Sequence, residues 1–364
     1  MESKRKIAVK YQTGMSLVEL MIALLIGLLL SAAIITVYLS NKKTFWDTEA
    51  AASLQENSRF AMKLIANDLR LAGFYGGIDY QSIERDTQAN GGGDVNGDGI
   101  VNTDDAKYVD PIDARAGMES CIRDGVETEF EYERSIWIAT VTGDGSDDLR
   151  AGLPDCLSGK HIRALADEVG STVLFVKHVE PVPVTKTYDT KTYIISALDT
   201  AGHIYGVGDG GQAQIGQWTT ASGRYPDGQA WEYRYHVYFI SKKQDEVFPR
   251  LRRMSLKQNG WTTETVADGI EDIQFEIGID TTGDGAANEY LQPGAVTSWE
   301  QAVSAKIYLL AQATKSDIGF EDTKNYVYAG RDYTPTSTSR RYHRKLYETT
   351  VTLFNNQMER TRGL

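Results

Sequence analysis

The sequence predicts an α+β fold: one long N-terminal helix packed against an antiparallel β-sheet, with a loop-rich insertion between them. Three observations carry this expectation. Residues 15–73 contain no proline and pass from an apolar run to an amphipathic one, the pattern of a continuous helix whose surroundings change along its length. From residue 171 onward, short alternating or β-branched segments are separated by polar turns, as in half-buried strands. Residues 78–168 are rich in Gly and Asp and poor in long apolar runs, which suits loops better than a second helical layer.

The composition excludes several classes. With 41% hydrophobic and 24% charged residues the 364-residue chain is not disordered throughout. A net charge of -12 argues against a broad phosphate-binding surface, so no direct nucleic-acid partner is expected. Two cysteines rule out a disulfide-dense module and a four-cysteine zinc site. The charge is also uneven. Lys4, Arg5, Lys6 and Lys10 against Glu2 give the first fourteen residues +3, which leaves -15 for the remainder.

Residues 15–39 read MSLVELMIALLIGLLLSAAIITVYL, with Glu19 the one charge. A helix of about 20 apolar residues spans a bilayer, so this stretch must meet lipid or be buried completely. The run continues past Tyr38 into Lys42 and Lys43 without a small-residue cleavage site, unlike a secretory signal peptide. Two features go beyond an ordinary anchor: Gly14 closing the basic leader, and Glu19 inside the apolar run, where a carboxylate is costly without a partner or a role.

The string TGMSLVELMIALLIGLLL at 13–30 resembles the processing signal of type IV prepilins and pseudopilins. The resemblance implies a leader at 1–14, cleavage by a prepilin peptidase between Gly14 and Met15, and methylation of the new Met15 amine. It also implies that Glu19 pairs with an N-terminal amine, of a neighbouring subunit or its own, as a registration device in a filament. Met15 stands where major pilins commonly carry Phe, a departure more frequent among minor subunits. The plainer reading is a single-pass anchor with an accidental glutamate.

After the membrane and filament-core helix at 15–39, residues 40–77 continue as an amphipathic helix. Leu54, Ala61, Leu64, Ile65, Leu69 and Ala72 recur at three- and four-residue intervals, and Gly73, Gly76 and Gly77 end it. Its second half, LQENSRFAMKLIANDLRLAGFYGG, resembles PilW-type minor pilins. Strand candidates follow at 135–140, 171–180, 192–198, 231–240, 271–279, 306–313 and 345–354. The β-rich domain is placed at 169–364, and the order of its late strands is similar to PilW proteins.

The resemblance therefore implies a pilin-like fold and a noncatalytic minor pilin in type IV pilus assembly, priming or tip formation. Its partners would be the prepilin peptidase, other minor pilins, the major pilin, the inner-membrane assembly platform and the membrane. The chain would sit in the inner membrane with its C-terminal domain in the periplasm, and in the extracellular pilus after assembly. Adhesion, twitching motility and DNA uptake would follow indirectly. The alternatives are a type II secretion pseudopilin near a pseudopilus tip, and a tip adhesin with a loop-borne binding surface.

Within the insertion, DVNGDGIVNTDD places Asp94, Asn96, Asp98, the Ile100 carbonyl, Asn102 and Asp105 at positions 1, 3, 5, 7, 9 and 12 of a calcium loop, with Gly99 at the sharp turn. Hard oxygen donors in a tight turn suit Ca²⁺, and the loop resembles those of EF-hands and dockerins, with Asp105 in place of the usual final Glu. The alternative is a solvated Asp/Gly turn. A weaker second site offers Asp280, Asp284 and Asn288, but Thr282 and Leu291 occupy two liganding positions, and a polar hairpin competes with it. In an exported domain Cys121 and Cys156 would close a disulfide across the insertion, the alternative being two free thiols.

No catalytic constellation is expected. His161, His178, His203, His236 and His343 form no HExxH or close pair and read as structural or solvated, and no serine sits in a GxSxG elbow. Tyr233, Tyr235, Tyr238 and Phe239 read as core plus one exposed strand face. The basic stretch SRRYHRK at 339–345 reads as a solvated face or a protein contact. Chelating Ca²⁺ from the purified chain is expected to lower its melting temperature by about 5 °C, with recovery on adding the ion back, followed by circular dichroism. An unchanged melt would leave 94–105 a solvated turn.

Overall fold

The computed structural model describes residues 14–77, 83–84, 135–141, 157, 162, 171–185, 192–196, 202–206, 228–243, 246–257, 260–337 and 339–355. The calcium loop at 94–105, Cys121, Cys156, His161 and the leader before Gly14 lie outside the described residues. The chain divides into two compact units, Met1–Ala52 and Ser53–Leu364.

Helix α1 (Leu17–Leu71) is 55 residues long, as the proline-free run requires. In the first unit its side chains are exposed almost throughout. In the second unit Leu54, Ser58, Ala61, Ile65, Asp68 and Leu69 are buried, which is the three-and-four spacing of one helical face. The helix stops because Gly73 takes φ 76°, a left-handed angle that L-residues avoid. Its last carbonyls do not go begging: Asn355 Nδ2 donates to the oxygens of Leu71 and Ala72, at 3.3 and 2.9 Å.

The first sheet contains β1 (Ile83–Glu84), β2 (Ile136–Val141), β3 (Ser171–Val179), β4 (Thr192–Ser196), β5 (Gly202–Gly206), β6 (Gln229–Ser241), β7 (Arg250–Lys257) and β8 (Gly260–Asp268). Its order is β1-β5-β4-β6-β3-β2, with β7 on β6 and β8 on β7. The long β6 organises it. Residues 229–232 pair with β4, 233–238 pair with β3, and 236–241 pair with β7, all antiparallel. The β1–β5 pairing is parallel. The second sheet has β9 (Ile270–Ile279), β10 (Glu289–Leu291), β11 (Ala302–Gln312) and β14 (Arg344–Thr352) in the order β10-β9-β11-β14, and β12 (Tyr326–Tyr328) pairs with β13 (Arg331–Tyr333).

All seven segments read as strands from their alternation are strands, but they belong to two main sheets rather than one. The break falls at Gly269, between β8 and β9. Its φ is 73°, its N–H donates to Pro249 O at 2.9 Å, and its carbonyl accepts from Gln312 N at 2.7 Å. A Cβ there would lie 2.4 Å from Gln312 O, so only glycine lets the chain leave one sheet and enter the next at this spacing.

One face of the first sheet buries Val173, Phe175, Tyr233, Tyr235, Val237 and Phe239 around Met254 and Leu256. The other face of β3 and β6 is buried too, so Tyr238 shows no solvent-exposed side and the expected exposed face of this strand is corrected. A strand buried on both faces loses clean alternation, which is why β3 reads STVLFVKHV with every residue buried.

A polar network ties β9 to the chain that follows β11. Arg344 Nε donates to Glu271 Oε2 at 2.5 Å, and Arg344 Nη1 reaches Asp322 Oδ2 at 3.4 Å. Arg331 Nη1 lies 3.1 Å from Asp272 Oδ2, which also accepts from Tyr328 OH at 2.8 Å. Tyr333 OH donates to Glu271 Oε1 at 3.0 Å. Arg344 is thus buried, not part of a solvated basic face, and Arg331 is fully enclosed. Removing one partner of such a pair leaves an uncompensated buried charge. Arg331→Met is expected to cost about 3–5 kcal/mol, measured by urea unfolding of the purified chain; a change below about 1 kcal/mol would show that the pair contributes little.

Candidate functional site

The chemistry-bearing end of the first unit is the start of α1. Ser16 sits before the first helical residue, and its Oγ accepts from Val18 N at 3.3 Å. Glu19, three residues on, accepts from Ser16 N through Oε2 at 3.4 Å. This is a capping box, S-x-x-E, in which side chains satisfy backbone donors that the helix leaves open. Both donors lie after the Gly14–Met15 bond, so cleavage there leaves the box intact. The carboxylate also lies in the first turn, where the helix dipole favours negative charge.

Beyond this cap the helix surface is apolar and unpartnered. Leu17, Leu24, Leu28 and Ile34 are each more than 65% exposed, and residues of α1 form an apolar stretch long enough to cross a membrane. Withdrawing each such side chain from water contributes about 1.5–3 kcal/mol, so the run summed is worth tens of kcal/mol once covered. Apart from the backbone of its own helix, Gly27 has no described neighbour within 4 Å of where its Cβ would be, an open notch at the surface. Ser31, one turn on, donates its hydroxyl to the Gly27 carbonyl at 2.8 Å. A small residue four positions from another allows close approach of a second helix.

In the second unit α1 carries a buried carboxylate. Asp68 Oδ2 accepts from His236 Nδ1 at 2.6 Å and from Tyr238 OH at 2.5 Å, and Asp68 Oδ1 faces His178 Nε2 at 3.5 Å. In the pairing of β3 with β6, Val176 is opposite His236 and His178 is opposite Arg234. The two histidines are therefore diagonal neighbours on one face. Burial would raise the Asp68 carboxyl, but its contacts with His178 and His236 win and hold it well below the usual carboxylate range. Burial pushes His236 down against the pull of Asp68 and pushes the Tyr238 phenol up, so the phenol remains a donor. Arg253 Nη1 stands 3.5 Å from Tyr238 OH and its other nitrogens hold Glu264.

Comparison with known proteins adds two findings to this geometry. Residues 237–355 match the family of type IV pilus-assembly protein W, and residues 9–35 match the prokaryotic N-terminal methylation motif. The two matches support a pilin and pseudopilin superfamily assignment. No curated protein and no solved structure matches the chain. The methylation-motif match covers Gly14, Met15 and Glu19, and the second match runs from the end of β6 through β14. Neither description is of an enzyme.

Of the other sequence-derived candidates, Asp280, Asp284 and Asn288 are engaged within their own turn. Asp280 accepts from the amides of Thr282, Gly283 and Gly285, at 2.9, 2.6 and 2.9 Å. Asn288 Oδ1 accepts from Thr281 N at 2.7 Å and Asp284 Oδ1 from Ala286 N at 2.9 Å. His343 stacks on Phe320 with centroids 3.7 Å apart. The Asp68 cluster was missed by motif reading because its members are far apart in the chain. The available signal was Asp68 itself, an acidic residue inside the Ala61, Ile65, Leu69, Ala72 stripe. Asp68→Ala leaves His236 and Tyr238 without their acceptor, removes the carboxylate that His178 faces, and is expected to cost about 3–5 kcal/mol. Urea unfolding of wild type and variant measures it, and a cost under about 1 kcal/mol would remove the cluster as a tie between α1 and the sheet.

Proposed function

We propose that the chain is a noncatalytic minor pilin of a type IV pilus, acting in assembly, priming or tip formation. The observation that carries this is the start of α1: an exposed apolar stretch to residue 39 whose one carboxylate, Glu19, lies just beyond the Gly14–Met15 bond, inside the matched methylation motif. The match of 237–355 to pilus-assembly protein W favours the pilus over a secretion pseudopilus.

In this reading the apolar surface of α1 serves in turn two environments that exclude water. Before assembly it lies in the inner membrane with the β-rich domain in the periplasm. After prepilin peptidase cuts at Gly14 and Met15 is methylated, it exchanges lipid for the helices of other minor pilins and the major pilin on the assembly platform. Apolar burial differs little between lipid and a helix core, so packing and polar contacts decide the transfer. Glu19 supplies the polar contact by accepting the cationic Met15 amine of a neighbour or its own chain, which fixes axial register. Calcium at Asp94, Asn96, Asp98, Ile100, Asn102 and Asp105, and a Cys121–Cys156 bridge, would stabilise the insertion after export.

Glu19→Gln separates the two roles of the carboxylate, because glutamine serves a capping box as well as glutamate does but carries no charge. Intact mass and N-terminal sequencing of membrane and sheared-filament fractions are expected to find wild type starting at methylated Met15 in both. The variant is expected to be cleaved but depleted at least tenfold from filaments. An uncut wild-type chain confined to the membrane would sink the pilin route, and a Gln variant that enters filaments normally would reduce Glu19 to a helix cap.

A further inference from the structure

Around His178 the hydrogen bonds leave an electrostatic problem that points to a ligand. His178 Nδ1 lies 3.0 Å from the Val179 carbonyl oxygen, which can only accept, so Nδ1 carries a ring hydrogen. Nε2 then points into the interior. It is buried without a hydrogen-bond partner, and it faces Asp68 Oδ1 at 3.5 Å. A bare imidazole nitrogen and a carboxylate oxygen repel each other, so the arrangement calls for a cation between them, a second proton or a metal ion.

The surroundings fit a metal. Asp68, His178 and His236 each bring one donor atom, all within 4.8 Å of one another, and all three residues are buried. Bonds of about 2.0–2.1 Å at a tetrahedral centre put donor atoms about 3.3–3.5 Å apart, the separation already present between Asp68 Oδ1 and His178 Nε2. The supporting contacts are in place as well. The Val179 carbonyl fixes the His178 tautomer that offers Nε2, and Tyr238 OH at 2.5 Å holds the second Asp68 oxygen. Two imidazoles and one carboxylate form the donor set of Zn²⁺ and neighbouring first-row ions, whereas Ca²⁺ and Mg²⁺ take oxygen.

We propose that Asp68, His178 and His236 form a structural site for a first-row divalent cation, Zn²⁺ foremost, that clamps α1 to β3 and β6. His236, which donates from Nδ1 to Asp68 in the ion-free arrangement, moves that hydrogen to Nε2 and ligates through Nδ1, so the ring stays neutral. The three ligands lie outside residues 237–355, and the site shares no residue with the oxygen-only loop at 94–105. It is independent of the assembly role proposed above.

The test uses the purified full chain in detergent, stripped with a chelator, saturated with Ca²⁺ and titrated with Co²⁺ and then Zn²⁺. One Co²⁺ per chain is expected, with the visible ligand-field bands of a four-coordinate ion, displaced by Zn²⁺, which raises the melting temperature by about 5 °C at a hundredfold excess over Kd. His178→Gln and Asp68→Asn are expected to lose the bands and the shift. X-ray absorption on the wild-type zinc form, which needs no variant to fold, is expected to show two imidazoles with oxygen. Absence of bands in the wild type, bands undiminished in both variants, or a sulfur or all-oxygen shell would each overturn the site and leave a proton as the bridging cation.

Discussion

Burying the Asp68 carboxylate between a helix and a sheet imposes a constraint that several other residues meet. A buried carboxylate is tolerated only when polar partners surround it, and here they come from two strands: His236 and Tyr238 on β6 donate to it, and His178 on β3 faces its other oxygen. For those side chains to converge, β3 and β6 must keep the register that makes the two histidines diagonal neighbours, and Asp68 must sit on the buried face of α1. A slip of one residue in either strand would turn these side chains to the opposite face. The polar cluster therefore fixes orientation and register, while apolar residues such as Ala61, Ile65 and Leu69 supply most of the burial.

The same division between bulk burial and polar specification recurs in the second sheet. Phe275, Ile277, Ile307 and Leu309 are buried, and such apolar strands could pair in more than one register at little cost. Glu271 and Asp272, adjacent in β9, are met by Arg344 and Arg331 from the chain beyond β11. Charge pairs inside a protein are poor sources of net stability but heavily penalise the wrong partner. The two arginines thus determine which segments close over β9.

At the other end of the chain the logic inverts. The first turns of α1 are capped within the chain by Ser16 and Glu19, but the apolar side chains that follow are exposed among the described residues of the first unit. Local hydrogen bonding is complete and hydrophobic burial is not, so this part of the helix needs lipid or another protein. That unmet need is what ties the sequence of residues 15–39 to a membrane-anchoring segment, and Glu19 is its one charge.

How much was legible in the sequence follows the range of the interaction. The extent of α1, its stop at Gly73 and seven strands could be read from local spacing, because periodicity, glycine conformation and turn chemistry act over a few residues, and the string at 13–30 lies within the matched methylation motif. The pairing of Asp68 with His236 spans 168 positions, and no spacing rule reaches that far. Tertiary structure alone decided that β6 is covered on both faces, that Gly269 divides the strands between two sheets, and that Arg331 and Arg344 lie inside. For β6 and the two arginines the deciding quantity was desolvation, and for Gly269 it was the close approach of Gln312, both of which depend on what the rest of the chain places around a residue.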